Sequence, residues 1–327
     1  MKILIIRFSS IGDIVLTTPI IRCLKWQMDD DLELHYLIKE KYSSITHANP
    51  YVDKTHEFSG SLRETIKELK TEDFDYIVDL QNNHRSKMIC RALKCEHHSF
   101  NKLDFKKLLL TTFKTNRLPK IHIVDRYFEA VKAIDIKNDG KGLDFFISDT
   151  NQMQEPDLPE EFRNGFYAVV IGGSYNTKVL PTQKVIEVIE KLDEPVILLG
   201  GSEDMTRAKE IVDAIGENVG NPVGMLNLEQ SASIIKMAKA VLTNDTGMMH
   251  IAAALHKPIV STWGNTVPEF GMTPYDPQHP EFSKIIECKG LKCRPCSKLG
   301  YKNCPKKHFK CMNELNSDEI CAALKNF

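Results

Sequence analysis

A strand-helix alternation that starts twice is the feature that most constrains this chain. Residues 2–7 form a short apolar strand, and Ser9-Ser10-Ile11-Gly12-Asp13 a polar turn. Residues 14–26 then carry apolar side chains at helical spacing (Val15, Ile20, Ile21, Leu24), with Pro19 in the first turns. Residues 32–38 and 75–80 read as further strands, and 121–134 as a helix. Residues 148–165, rich in charge, proline and turn formers, break the rhythm and read as a linker. The rhythm restarts with strands at 166–171, 195–199, 240–243 and 258–263, and with helices at 182–192, 205–215, 231–237 and 247–255. Such alternation produces parallel sheets with right-handed crossovers. Two runs predict two doubly wound α/β domains, at 1–155 and 156–315, with a last helix at 316–327 capped by Asn316 or Ser317.

A chain of 327 residues is long enough for two such cores. Its formal net charge of -1 argues against a duplex nucleic acid as main partner. The first residues open like a signal peptide, but Arg7 and Asp13 interrupt the apolar run. No stretch reaches the roughly 18 to 20 apolar residues of a membrane-spanning helix. The expected location is the cytoplasm, at most peripheral on the inner face of the membrane.

Three strand-to-helix turns carry chemistry. In Thr243-Asn244-Asp245-Thr246-Gly247-Met248-Met249-His250, small residues allow close backbone approach, and the first helical turn aims N–H groups at an anion. This reads as a phosphate or diphosphate site, or as an ordinary capped helix. Gly172-Gly173-Ser174-Tyr175-Asn176-Thr177-Lys178 offers backbone and hydroxyl donors, and Lys178 either reaches a phosphate as a point charge or is a solvated loop lysine. The turn at residues 9–13 is not a dinucleotide fingerprint, which disfavours a nicotinamide oxidoreductase. It places Asp13 at a helix entry, as a cap or as a general base for an acceptor hydroxyl.

Four phrases, Arg7 to Pro19 (RFSSIGDIVLTTP), Gly172 to Lys178 (GGSYNTK), Leu198 to Asp204 (LLGGSED) and Asn244 to Leu255 (NDTGMMHIAAAL), resemble the lipopolysaccharide heptosyltransferases of glycosyltransferase family nine. The resemblance implies a GT-B fold, two Rossmann-like domains facing a cleft, with an N-terminal acceptor domain and a C-terminal donor domain. It implies transfer of heptose or a similar sugar, with inversion and no required cofactor, from a nucleotide-diphosphate donor such as ADP-heptose to a lipopolysaccharide-core or other glycolipid acceptor. Asp13 is then the base. Candidate donor contacts are Gly172, Ser174, Lys178, Asp245, Thr246, Gly247, His250 and Thr266; candidate acceptor contacts are Ser10, Gly12 and Arg85. The final helix is expected to pack back toward the N-terminal domain. A nucleotide-sugar epimerase and a non-catalytic nucleotide-sugar-binding protein are the alternatives.

Residues 80–120 are basic, among them His84, Arg85, Lys102, Lys106, Lys107 and Lys114, and suit an anionic acceptor or a solvated face. Five of the nine cysteines crowd into residues 288–311. Cys293, Cys296, Cys304 and Cys311 have a spacing compatible with tetrahedral zinc; reduced thiols or disulfides are the other readings.

Overall fold

The computed structural model describes all residues, 1–327, and its contacts divide the chain into two units. The first takes Met1–Leu103 and Ile121–Phe146; the second takes Asp104–Lys120 and Ile147–Phe327.

The first unit is built on β1 (Lys2–Ile6), β2 (Glu33–Lys39), β3 (Lys54–Phe58), β4 (Tyr76–Asp79) and β5 (Glu96–Ser99). All pair in parallel, in the order β3-β2-β1-β4-β5. The central strands bury side chains on both faces, which is why β1 reads as an unbroken apolar run. The helical pattern at 14–26 divides into helices Ile11–Val15 and Thr18–Gln27, with Pro19 in the first turn of the second. There proline loses no ladder bond, because the first helical N–H groups have no partner anyway. Arg22, on that helix, is buried and pairs with Asp139 and Asp144, tying the end of the unit to its second helix. The expected helix at 121–134 is one short helix, Ile123–Tyr127, followed by two 3₁₀ turns.

The second unit carries β6 (Tyr167–Val170), β7 (Val196–Leu199), β8 (Val219–Gly220), β9 (Val241–Asn244), β10 (Ile259–Trp263) and β11 (Ser283–Glu287). They are again all parallel, in the order β11-β10-β9-β6-β7-β8. Helices Thr182–Leu192 and Met205–Ile215 lie where the periodicity put them.

Three segments mark the bounds of the two units. Residues 148–165 are no free tether: Ser148 donates to Glu229 through both its N–H (2.8 Å) and its hydroxyl, and the Met153 N–H reaches Ser233 Oγ (3.2 Å). Residues 104–120 leave the first unit for the second, where Leu110 and Leu118 pack with Val267 and Phe270. Helix Ser317–Lys325 belongs to the second unit. Its buried Ile320, Cys321, Ala323 and Leu324 complete the core of the second unit with Val185, Val188 and Ile189 of helix Thr182–Leu192. Burying one apolar stripe against another is sufficient reason for that docking. Leu324→Ala is expected to lower the unfolding free energy of this unit by about 2–5 kcal/mol. Denaturant titration checks it, and an unshifted midpoint would remove the helix from that core.

Candidate active site

Both sheets are doubly wound, and ligands in such sheets bind beyond the carboxyl ends of the strands, where the strand order reverses. In the first unit that point lies between β1 and β4; in the second it lies between β6 and β9. The turns singled out by sequence sit at these two points.

In the second unit, the turn after β6 meets the turn after β9. Lys178 Nζ forms an ion pair with Asp245 Oδ2 at 2.6 Å and donates to the Asp245 carbonyl at 3.3 Å. Thr266 Oγ1, from the turn after β10, donates to the same carboxylate oxygen at 2.7 Å. Both side chains of the ion pair are largely buried, at 18% and 10% exposure, so Lys178 is not a solvated loop lysine. Asn244 fastens the two turns beneath them: its Nδ2 donates to the carbonyls of Val170 and Gly172, and its Oδ1 accepts from the Leu180 N–H and the Thr262 hydroxyl.

The glycines are dictated by crowding. A Cβ on Gly172 would lie 2.3 Å from Asp204 Oδ2, and one on Gly264 would lie 2.6 Å from the Thr177 carbonyl. Thr246 is the extended cap residue of helix Gly247–Ala254, and its buried hydroxyl makes no hydrogen bond within the protein. The same holds for both polar atoms of the Asn265 amide, on a residue only 2% exposed. A buried amide with nothing to bond costs on the order of 1–3 kcal/mol, so a polar ligand that supplied partners would recover that energy. His250 is buried in the same helix, whereas Ser174 is exposed. Asn265 was not singled out by sequence. Its neighbour Thr266 was; both are buried, and what distinguishes them is that Thr266 bonds Asp245 while the Asn265 side chain bonds nothing in the protein.

In the first unit, Asp13 takes part in a capping box. The Ser10 N–H (3.1 Å) and Ser10 hydroxyl (2.9 Å) both donate to Asp13 Oδ2, while Arg7 holds Asp13 Oδ1 at 2.6 Å. Asp13 is therefore the acidic partner three residues past the cap, and the cap itself is Ser10. Arg7 also donates to the carbonyls of Ser9 and Leu80, and the Phe8 N–H reaches Gln81 Oε1. These bonds link the exits of β1 and β4. Burial works against the Arg7 charge, but Asp13 beside it wins and holds the guanidinium more firmly protonated than usual. The Asp13 side chain keeps 24% exposure, and Gly12 is buried beneath it.

Further along the same sheet end is a cavity of about 380 Å³ lined by Lys39, Glu40, Lys41, Phe58, Ser59, Gly60 and Arg85. Three cations against one carboxylate make it an anion-favouring pocket. Arg85 and His84 are exposed at the start of helix His84–Leu93. The rest of the expected basic face divides. Lys102 Nζ is bonded to the carbonyls of Gln81 and Asn82, while Lys106, Lys107 and Lys114 go with the second unit. There Lys114 Nζ is taken up by the carbonyls of Thr111, Cys293 and Pro295.

No helix is long and apolar enough to cross a membrane. The model of glycosyltransferase family 9 (heptosyltransferase) matches residues 62–302, well over half of the chain. Lipopolysaccharide heptosyltransferase 1 of Campylobacter coli is 25% identical over 81% of this chain and 84% of its own. Lipooligosaccharide heptosyltransferase 2 of Haemophilus influenzae is 24% identical over 92% and 93%. Among solved structures, E. coli ADP-heptose LPS heptosyltransferase II superposes with a TM-score of 0.75 at 20% identity, covering 100% of this chain and 98% of that one. The shared architecture is GT-B: two parallel-sheet α/β domains in one chain. With that fold, and with the family model spanning turns after the strands of both sheets, the chain belongs to glycosyltransferase family 9, the heptosyltransferases.

Proposed function

We propose that this chain transfers a heptose from ADP-heptose to a hydroxyl of a lipopolysaccharide-core acceptor, inverting the anomeric carbon, without a catalytic metal. The observation that carries the reading is the Lys178–Asp245–Thr266 cluster at the switch point of the second sheet, with the unpartnered Thr246 hydroxyl and Asn265 amide. A diphosphate needs fixed N–H donors and a cation there. Lys178 and the first turn of helix Gly247–Ala254 are of that kind. Charge that grows on the departing nucleotide diphosphate is stabilised by these groups, which leaves a divalent ion nothing essential to supply.

In the first unit Asp13 is the base. It takes the acceptor hydroxyl proton as the oxygen attacks the anomeric carbon. Its two oxygens are oriented by Ser10 and Arg7, so little reorganisation is needed at the moment of reaction. The pocket at Arg85 suits a phosphate or carboxylate of the acceptor.

The membrane-embedded acceptor makes peripheral attachment the natural working state. The relatives named above carry heptosyltransferase in their names, which supports the donor sugar. The test is calorimetric binding of ADP-heptose against UDP- and GDP-sugars, followed by NMR of the product anomer. No preference for the adenine nucleotide would overturn the donor, and a retained configuration would overturn the mechanism. Arg85→Ala is expected to raise the acceptor KM by about tenfold or more, as losing one charge-assisted hydrogen bond does, with donor KM unchanged. Equal acceptor KM values would dismiss the pocket.

A further inference from the structure

Helix Asp104–Phe113 is apolar on more than its packed side. Leu110 is its buried residue and packs with Val267 and Phe270 in the second unit. The opposite side of an ordinary surface helix is polar. Here Phe105 and Leu108, three residues apart and turned away from Leu110, are each more than half exposed, and so is Phe113 in the last turn. Single exposed apolar residues are ordinary, but a group of them marks a surface that meets something apolar.

A second segment of the same unit extends the group. Asp104 pairs with Lys298 at 2.9 Å, and Lys114 Nζ donates to the carbonyls of Cys293 and Pro295. These contacts seat the helix segment on the loop of residues 288–311, which exposes Leu299 and Tyr301 beside Lys298. The cysteines of that loop are free thiols, and Cys311 is packed in the core of the unit.

Charge is concentrated in the same two segments. Residues 102–120 hold six lysines and arginines against Asp104 alone, and residues 288–313 hold eight with no acidic residue, although the whole chain has a net charge of -1. Lys106, Arg117 and Lys302 are exposed. A nucleic acid would match the charge, but its bases stack on aromatic faces and give Leu108 and Leu299 nothing apolar to enter. An anionic bilayer supplies both partners, phosphates for the lysines and an acyl boundary just beneath them for the apolar side chains.

We propose that this face of the second unit, helix Asp104–Phe113 with the loop around Leu299, docks on an anionic lipid bilayer. Phe105, Leu108, Phe113 and Leu299 enter the boundary between headgroups and acyl chains, and the lysines lie among the phosphates. The inference rests on the peripheral attachment proposed for the transfer reaction. Vesicle binding needs neither donor nor acceptor, so its failure leaves the chemistry standing, and failed transfer leaves the docking face standing.

The test is co-sedimentation of the full chain with phosphatidylcholine vesicles, with and without about a third phosphatidylglycerol. Binding to the anionic vesicles is expected to be tighter by about tenfold or more, and to weaken as salt rises. Phe105→Ser/Phe113→Ser should weaken it by about tenfold or more through lost apolar burial. Lys106→Glu/Lys302→Glu should do the same through charge. All four side chains are exposed, so both variants should melt like the wild type and bind ADP like it. If a variant does not fold, the wild-type comparison of the two vesicle types still decides. No binding to anionic vesicles, or equal binding to both types, overturns the proposal. Folded variants that bind like the wild type move attachment to another face and overturn it as well. Duplex DNA bound more tightly than the vesicles, and lost in the lysine variant, would give the face to nucleic acid instead.

Discussion

Asp13→Asn is expected to reduce turnover by about 10²–10⁴-fold while donor binding stays within a few-fold of wild type. The substitution keeps the shape of the side chain and removes its ability to take a proton. It also takes the counter-charge from Arg7, which is 8% exposed and has only backbone carbonyls as its other partners. Breaking a buried ion pair from one side costs about 3–5 kcal/mol, so a loss of activity could come from unfolding. A thermal melt separates the causes: a variant that melts like wild type, keeps donor binding and loses turnover assigns the base. Lost turnover with a lost or lowered melting transition returns Asp13 to a structural role, and turnover within threefold of wild type ends the assignment.

The second large effect is expected at Lys178. Lys178→Ala should lower kcat/KM by about 10²–10³-fold, through weaker donor binding and through lost stabilisation of the leaving diphosphate. Part of this has an indirect cause. The Asp245 carboxylate, 10% exposed, keeps the Thr266 hydroxyl but loses its cation, and then repels an anionic donor. The double variant Lys178→Ala/Asp245→Asn should therefore bind ADP more tightly than Lys178→Ala alone. That reversal is the signature of two groups acting as a unit. Strictly additive losses would mean that Lys178 acts alone, and unchanged ADP affinity in the single variant would remove it from the site.

Legibility in the sequence followed burial. β1, β4, β6, β7, β9 and β10 read directly, because central parallel strands are apolar on both faces. The edge strands β5 and β11 and the outer strand β3 did not. Their segments, EHHS, SKIIE and KTHEF, are short and polar, and they pair only because a neighbouring strand presents its ladder. Helix Asp104–Phe113 was hidden inside a basic stretch read as one face, although Leu110 packs into the second unit. The last helix was placed through the family resemblance; its own apolar stripe matches helix Thr182–Leu192 and docks there.

What the sequence alone determined is local. The period of apolar residues set the elements, and small and polar residues after strands marked the turns where a ligand would sit. Whether Lys178 is solvated or paired could not be read locally, because its partner Asp245 lies 67 positions away. Nor could the sequence show that Arg7 ties Asp13 to the exit of β4, 73 positions on, or that the Asn265 amide is buried with nothing in the protein to bond. Those facts depend on strand order. The crossovers bring β6 beside β9 and β1 beside β4, and only adjacency in the sheet turns separate loops into one electrostatic environment.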